Sequence, residues 1–302
     1  MIRTKTSAAF LSVVSNSVLI ALKIAAGAIT GSIAIITEAL HSAIDLMASV
    51  IALIAVRRSD EPADEDHPYG HERVENLAAA IEGMLILVGA GVIIFVATRN
   101  LVTGAEVESL GIGLVVIGFS IVANIAVSTL LARRAREHGS AALEGDAAHL
   151  RADALTSIGV FAGLALVEVT GEPAFDAIAA LIVAAAIVYS GIRILTRSSR
   201  VLVDEAPPPE ELDEIEAAIA EARPPEMVGY HKLRARRAGA SLHIDLHVQF
   251  RSGTTLERAH ELAHTLRGAI EQKTAADDVL IHVEPETSAH PEADDIGHLR
   301  HG

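Results

Sequence analysis

Apolar residues gather into six runs along this chain, at 8–30, 32–56, 77–97, 110–132, 147–169 and 174–195. Each approaches the length of about 20 residues that a helix needs to cross the hydrocarbon core of a bilayer. The pattern therefore predicts six transmembrane helices. The first run is too long for the core of a cleaved signal peptide and lacks a small-residue cleavage site, so it is read as retained. After Val203 the character changes: Asp204 and Glu205 precede Pro207, Pro208 and Pro209, which end the last helix.

Beyond about residue 207 the periodicity is that of a small soluble domain. EELDEIEAAIAEA reads as an amphipathic helix, VGYHKLRARRAG and ASLHIDLHVQF as strands, TLERAHELAHTLRGAIEQK as a second helix and DDVLIHVEP as a third strand. In the second strand Leu242, Ile244, Leu246, Val248 and Phe250 alternate with His243, Asp245, His247 and Gln249, giving one core face and one polar face. The order α-β-β-α-β predicts a three-stranded sheet on two helices. The fold expected is an all-α polytopic membrane domain of six transmembrane helices (1–205) plus a small α+β cytoplasmic domain (206–286). Residues 287–302 are polar and unpatterned, and are expected to form a disordered tail.

Composition explains why the two parts must be separate. The chain carries a net charge of −15 with 51% apolar residues, and its mean hydropathy is +0.40. An acidic soluble protein ordinarily dilutes its apolar residues. The acidic balance argues against nucleic-acid binding, which needs a basic stripe, and the apolar content argues against a disordered acidic chain. Cysteine is absent, so a metal site would be built from nitrogen and oxygen donors. Arg3, Lys5, Arg57, Arg58, Arg73, Arg133, Arg134, Arg136, Arg193, Arg197 and Arg200 fall on one side of a six-span topology and Arg99 on the other. The positive-inside bias then places both termini in the cytoplasm of a multi-pass protein of the cell (inner) membrane.

The chemistry lies inside the apolar runs. The second run contains Glu38, His41 and Asp45, and the fifth contains Asp146, His149 and Asp153. Residues four apart stack on one helix face, so His41 with Asp45, and His149 with Asp153, each form a two-ligand pincer. Two imidazoles and two carboxylates suit tetrahedral Zn²⁺, and the two acids cancel the charge of the ion. Ionisable side chains at membrane depth are costly unless they serve a site or a pathway. Helix packing is the alternative for one such histidine, but two copies of the spacing favour a site. Glu38 and Asp146, one turn before each His, are candidates for the shell around the ligands, with a plain helix-end or cavity-facing role as the alternative.

The paired H-x-x-x-D motifs, DEDHPYGHERVE after the second run and the terminal IHVEP resemble the cation diffusion facilitator family of proton-coupled divalent-cation exporters. The resemblance runs from about Ser7 to Pro285 with the motifs in order. It implies a homodimer of six-span protomers with a metallochaperone-like cytoplasmic domain, which exports Zn²⁺ in exchange for protons. Zn²⁺ is then the substrate and a regulatory ligand, with no prosthetic group. The resemblance makes His41, Asp45, His149 and Asp153 the transport site, and the histidines point to zinc ahead of Fe²⁺, Cd²⁺, Co²⁺ or Ni²⁺. It makes Asp64, His67 and His71 a secondary loop site, for which a solvated acidic loop is the alternative. It makes His231, His247, His260, His282 and Glu284 a cytoplasmic metal site, against solvated or merely packed histidines. Arg73 and Asp204 match positions where relatives pair charges between the two parts.

Two other functions compete. His260, Glu261 and His264 spell the H-E-x-x-H pattern of zinc metalloproteases, but a domain of this size leaves no catalytic lobe or cleft. A metal-responsive receptor that binds ions without moving them is the second alternative.

Overall fold

The computed structural model describes residues 4–30, 33–103, 113–172 and 174–288; the side chains of 33–41, which include Glu38 and His41, lie outside the description, as does the expected tail beyond Ser288. The chain divides into two compact units, Met1–Leu202 and Val203–Gly302.

The first unit holds six long helices among the described residues: α1 (Lys5–Thr30), α2 (Ile33–Ser59), α3 (Arg73–Thr103), α4 (Gly113–His138), α5 (Ala141–Thr170) and α6 (Ala174–Leu202). Four of them, α1, α3, α5 and α6, are long and apolar enough to cross a membrane. Several helices outrun the apolar segments that announced them. Hydropathy marks only the apolar middle, whereas backbone hydrogen bonding continues until a cap intervenes. α5 begins six residues before its apolar run because the Ser140 side chain accepts a hydrogen bond from the Leu143 amide, which satisfies one free N–H. It ends at Gly171, whose φ of 74° closes the helix in a left-handed conformation.

Small residues let these helices approach closely. One cluster buries Ala8, Ala9, Ala52, Ala55, Ala78 and Ala147 with Leu131, Leu143 and Leu150. α3 packs most extensively against α6. At their crossing a Cβ on Gly83 would meet the Leu195 amide nitrogen at 3.1 Å. Where lipid tails are as apolar as the side chains, such close packing is what holds helices together.

The second unit comprises α7 (Pro209–Ala222), β1 (Met227–Ala238), β2 (Ser241–Phe250), α8 (Leu256–Thr274), β3 (Asp278–Pro285) and one 3-10 turn (Glu286–Ser288). Pro209 starts α7 where its missing N–H costs nothing, and Glu210 and Glu211 in the first turn favour the helix dipole. β2 is central, antiparallel to β1 and parallel to β3. Leu242, Ile244, Leu246, Val248 and Phe250 are all buried, in a core with Ile215 and Ile219 of α7 and Leu266 and Ile270 of α8. Both helices thus cover one face of the sheet.

Candidate functional site

Three groups of metal-ligating side chains converge among the described residues, each with its donor atoms within 4.8 Å of one another: Asp45, His149 and Asp153; Asp64, His67 and His71; and His231, His247 and Glu284.

The first group lies between α2 and α5. His149 and Asp45 are buried, with His149 Nε2 at 3.2 Å from Asp45 Oδ1 and 3.9 Å from Asp153 Oδ2. The i, i+4 spacing on α5 sets His149 above Asp153, and α2 supplies Asp45 from across the helix interface. His149 Nδ1 has no hydrogen-bond partner among the described residues. Asp146, a turn earlier, is fully buried and accepts a hydrogen bond from Ser49 Oγ at 2.9 Å. His41 and Glu38 belong to α2.

The second group occupies the turn after α2. Gly70, with φ of 85°, adopts a conformation costly for other residues. The His67 amide donates to Asp64 Oδ1 at 2.6 Å. His67 Nδ1 is 3.1 Å from the same oxygen, and His71 Nε2 is 3.3 Å from Oδ2. The rings are 4.4 Å apart. His71 is buried whereas Asp64 and His67 are exposed. The His67 amide and the two imidazoles hold the Asp64 carboxyl below its usual range.

The third group is a product of strand register. His231 pairs with His247 across β1 and β2, and His247 with His282 across β2 and β3. One row of three imidazoles therefore crosses the polar face, with ring centroids 5.2 and 4.6 Å apart. Glu284 reaches into the row, its Oε1 at 2.7 Å from His247 Nδ1 and 3.6 Å from His282 Nε2, and its Oε2 at 3.3 Å from His231 Nε2. Partial burial pushes the Glu284 carboxyl up, but the His247 hydrogen bond and the imidazole charges outweigh it, and the net shift is downward.

His260 is not brought into that row. It is exposed on α8, on the helix-covered side of the sheet, and its ring meets His264 edge-on at 4.6 Å. Glu261 between them is exposed and accepts from Arg258 at 3.3 Å. No third donor joins this pair among the described residues, so the H-E-x-x-H pattern marks a helix surface. Arg73 opens α3. Asp204 lies in the second unit, where Arg236 Nη1 donates to its Oδ1 at 3.3 Å.

Sequence reasoning passed over two buried acids of α3. Glu75 gathers hydrogen bonds from Lys5, Ser59 and Ser140, and Glu82 is fully buried. For Glu82 the signal was present: it is the only charged residue within 77–98.

Residues 9–203 match the cation efflux transmembrane domain, and 207–286 match the cytoplasmic domain of cation efflux proteins. The chain belongs to the cation efflux family. This cation efflux protein is 31% identical over 283 residues to the cation-efflux pump FieF of Citrobacter koseri, covering 94% of this chain and 93% of the pump. FieF of Yersinia enterocolitica matches to the same extent, at 31% over 283 residues. An uncharacterized transporter of Synechocystis, sll1263, is 31% identical over 264 residues, or 87% of this chain and 85% of that protein. Among solved structures, the zinc form of CzrB shows 36% identity over 29% of this chain and 98% of its own, with a TM-score of 0.27. As a cation efflux family member, the protein is a metal-cation transporter rather than an enzyme, and its second unit is a dimerisation domain. The resemblance drawn from the motifs is thereby established.

Proposed function

We propose that this cation efflux family member exports divalent metal cations, Zn²⁺ first, from the cytoplasm in exchange for protons. The observation that carries the reading is the convergence of buried Asp45 and His149 with half-buried Asp153, to which His41, one turn before Asp45 in the sequence of α2, would add a fourth donor. Two nitrogen and two oxygen donors match the tetrahedral preference of zinc, and two carboxylates neutralise the ion where dielectric screening is weak. All six helices, α2 and α4 included, then span the cell (inner) membrane, with both termini in the cytoplasm and the protomers joined as a homodimer.

Metal ligands bind in their deprotonated form, so protons compete with Zn²⁺ for the same atoms. An imidazole ordinarily titrates near about 6.5. A more acidic exterior therefore weakens coordination after the site has turned outward, releases the ion and loads protons for the return. Asp64, His67 and His71 would collect metal at the cytoplasmic mouth. His231, His247, His282 and Glu284 would sense metal on the soluble domain.

The test is Zn²⁺ flux into proteoliposomes under an imposed pH gradient, run beside Fe²⁺, Cd²⁺, Co²⁺ and Ni²⁺. Wild-type flux should follow the gradient, and His149→Ala and Asp153→Ala should each abolish it. Flux retained in both variants would sink the site assignment, and metal binding without flux in the wild type would favour the receptor reading.

A further inference from the structure

Glu82 is a carboxyl that the proposed metal quartet does not use. It is fully buried within the chain, and neither of its oxygens has a hydrogen-bond partner among the described residues. Its side chain reaches α5 at Gly145, where a Cβ would overlap Glu82 Oε2 and lie 3.2 Å from Ala79 Cα. Glycine at 145 thus makes the space that the carboxyl fills.

The next residue along α5 is Asp146, also fully buried. Ser49 Oγ donates to its Oδ1 at 2.9 Å, and Ser49 is held in turn by Asn16 Nδ2 at 2.8 Å and Ser12 Oγ at 2.9 Å. Asp146 Oδ2 has no partner among the described residues. Helices α2, α5 and α6 pack against α3. Asp146 follows Gly145 directly on α5, the helix that the Glu82 side chain touches. Arg197 of α6 is engaged by Glu144 of α5, and Asp45 of α2 lies against His149. Among the described residues, Glu82 therefore has a second buried carboxyl one position from the glycine it touches, and no cation hydrogen-bonded to it. Like charges placed this way cannot both ionise, because each pays the loss of solvent and adds to the field of the other.

We propose that Glu82 is a proton-binding site of the helical unit, separate from the metal ligands, and that a divalent cation bound beside Asp146 expels its proton. The coupling rests on the reading of Asp45, His149 and Asp153 as a metal site. Asp146 precedes His149 by about one turn of α5, so a dication at His149 favours ionised carboxylates on the Asp146 side of the bundle. The step is an acid dissociation: the Glu82 O–H bond breaks, its electron pair stays on the carboxylate and the proton leaves for solvent. Linkage is reciprocal, so a proton on Glu82 weakens metal binding as much as metal weakens the proton.

The experiment titrates the purified full-length protein with Zn²⁺ in weakly buffered detergent and counts the protons released per Zn²⁺ bound with an indicator dye. Glu82→Gln, close in shape to the protonated acid, should bind Zn²⁺ and release fewer protons, and Glu82→Asp should restore the release. Equal release in wild type and Glu82→Gln overturns the proposal. If His149→Ala and Asp153→Ala leave Zn²⁺ binding unchanged, the metal-site reading fails on its own. Infrared spectroscopy of the metal-free protein then decides the proton: a carboxylic-acid carbonyl band lost in Glu82→Gln supports it, and a band unaltered by the substitution overturns it. If Glu82→Gln does not fold, the wild-type band decides: bleaching on Zn²⁺ addition supports the proposal, and a spectrum without such a band overturns it.

Discussion

Glu284 lies two residues along β3 from His282, and its two oxygens hold the imidazole row of the sheet together. With its carboxyl below the ordinary glutamate range, the charged form is favoured by folding. Its contribution to stability is fully present above the ordinary value near about 4.3 and is lost as pH falls through the lowered folded value. Glu284→Gln should flatten that acid limb in thermal unfolding of the full-length protein, whereas an unchanged limb would show that Glu284 does not set it. Zn²⁺ acts on the same residues in the other direction. A ligand at one hundred times its Kd stabilises by about 2.7 kcal/mol, so Zn²⁺ should raise the unfolding temperature of the protein. EDTA should reverse the gain, and His247→Ala should reduce it, since His247 contacts Glu284 and both neighbouring rings. An equal Zn²⁺ gain in that variant would remove the cluster from consideration.

Helices α1, α2, α3 and α5 meet at Glu75, which is buried near the start of α3. Lys5 Nζ donates to its Oε1 at 2.8 Å and Ser59 Oγ at 2.6 Å, while Ser140, the N-cap of α5, donates to Oε2. Lys5 also reaches Asp60 Oδ1 at 2.8 Å. Removing one partner from a largely buried pair leaves an uncompensated charge, at a cost of about 3 to 5 kcal/mol; Lys5 keeps some exposure and Asp60, so the lower end applies. Glu75→Ala should therefore lower the unfolding temperature in detergent markedly, and an unchanged temperature would show that the four helix ends do not depend on it. The α3–α6 crossing makes a different prediction. A methyl group on Gly83 meets backbone at 3.1 Å, whereas one on Gly89 meets nothing within 4 Å. Overpacking of that kind costs about 1 to 3 kcal/mol, so Gly83→Ala should destabilise and Gly89→Ala should not. Equal stability of the two variants would mean that the crossing can open without cost.

At the scale of the whole molecule, membrane and soluble parts are built on different principles: close helix approach through small residues in one, a sheet with a helix-covered apolar face in the other. The cation efflux match gives the second unit a dimerising role, so a chain ending at Asp204 should run as a monomer in cross-linking, whereas a persistent dimer would place the main interface in the helices. Much of this plan was legible from sequence because it rests on local periodicity. Apolar runs of membrane length marked the helices, alternation marked β2, and the 149/153 spacing marked one pincer, each a property of one segment. What the sequence could not decide were relations between segments. Which imidazoles share a row depended on the register of β1, β2 and β3. That register joined His231, His247 and His282 and left His260 on α8. Whether a lone acid in an apolar run would find a partner depended on which helix packed against it. Glu75 met a lysine and two hydroxyls, while Glu82 met a glycine and a second acid. The sequence by itself determined the elements, their polarity and the donor types available to a metal. Only tertiary packing decided which donors meet and which buried acids are left without a hydrogen-bond partner, because those energies belong to contacts between residues far apart in the chain.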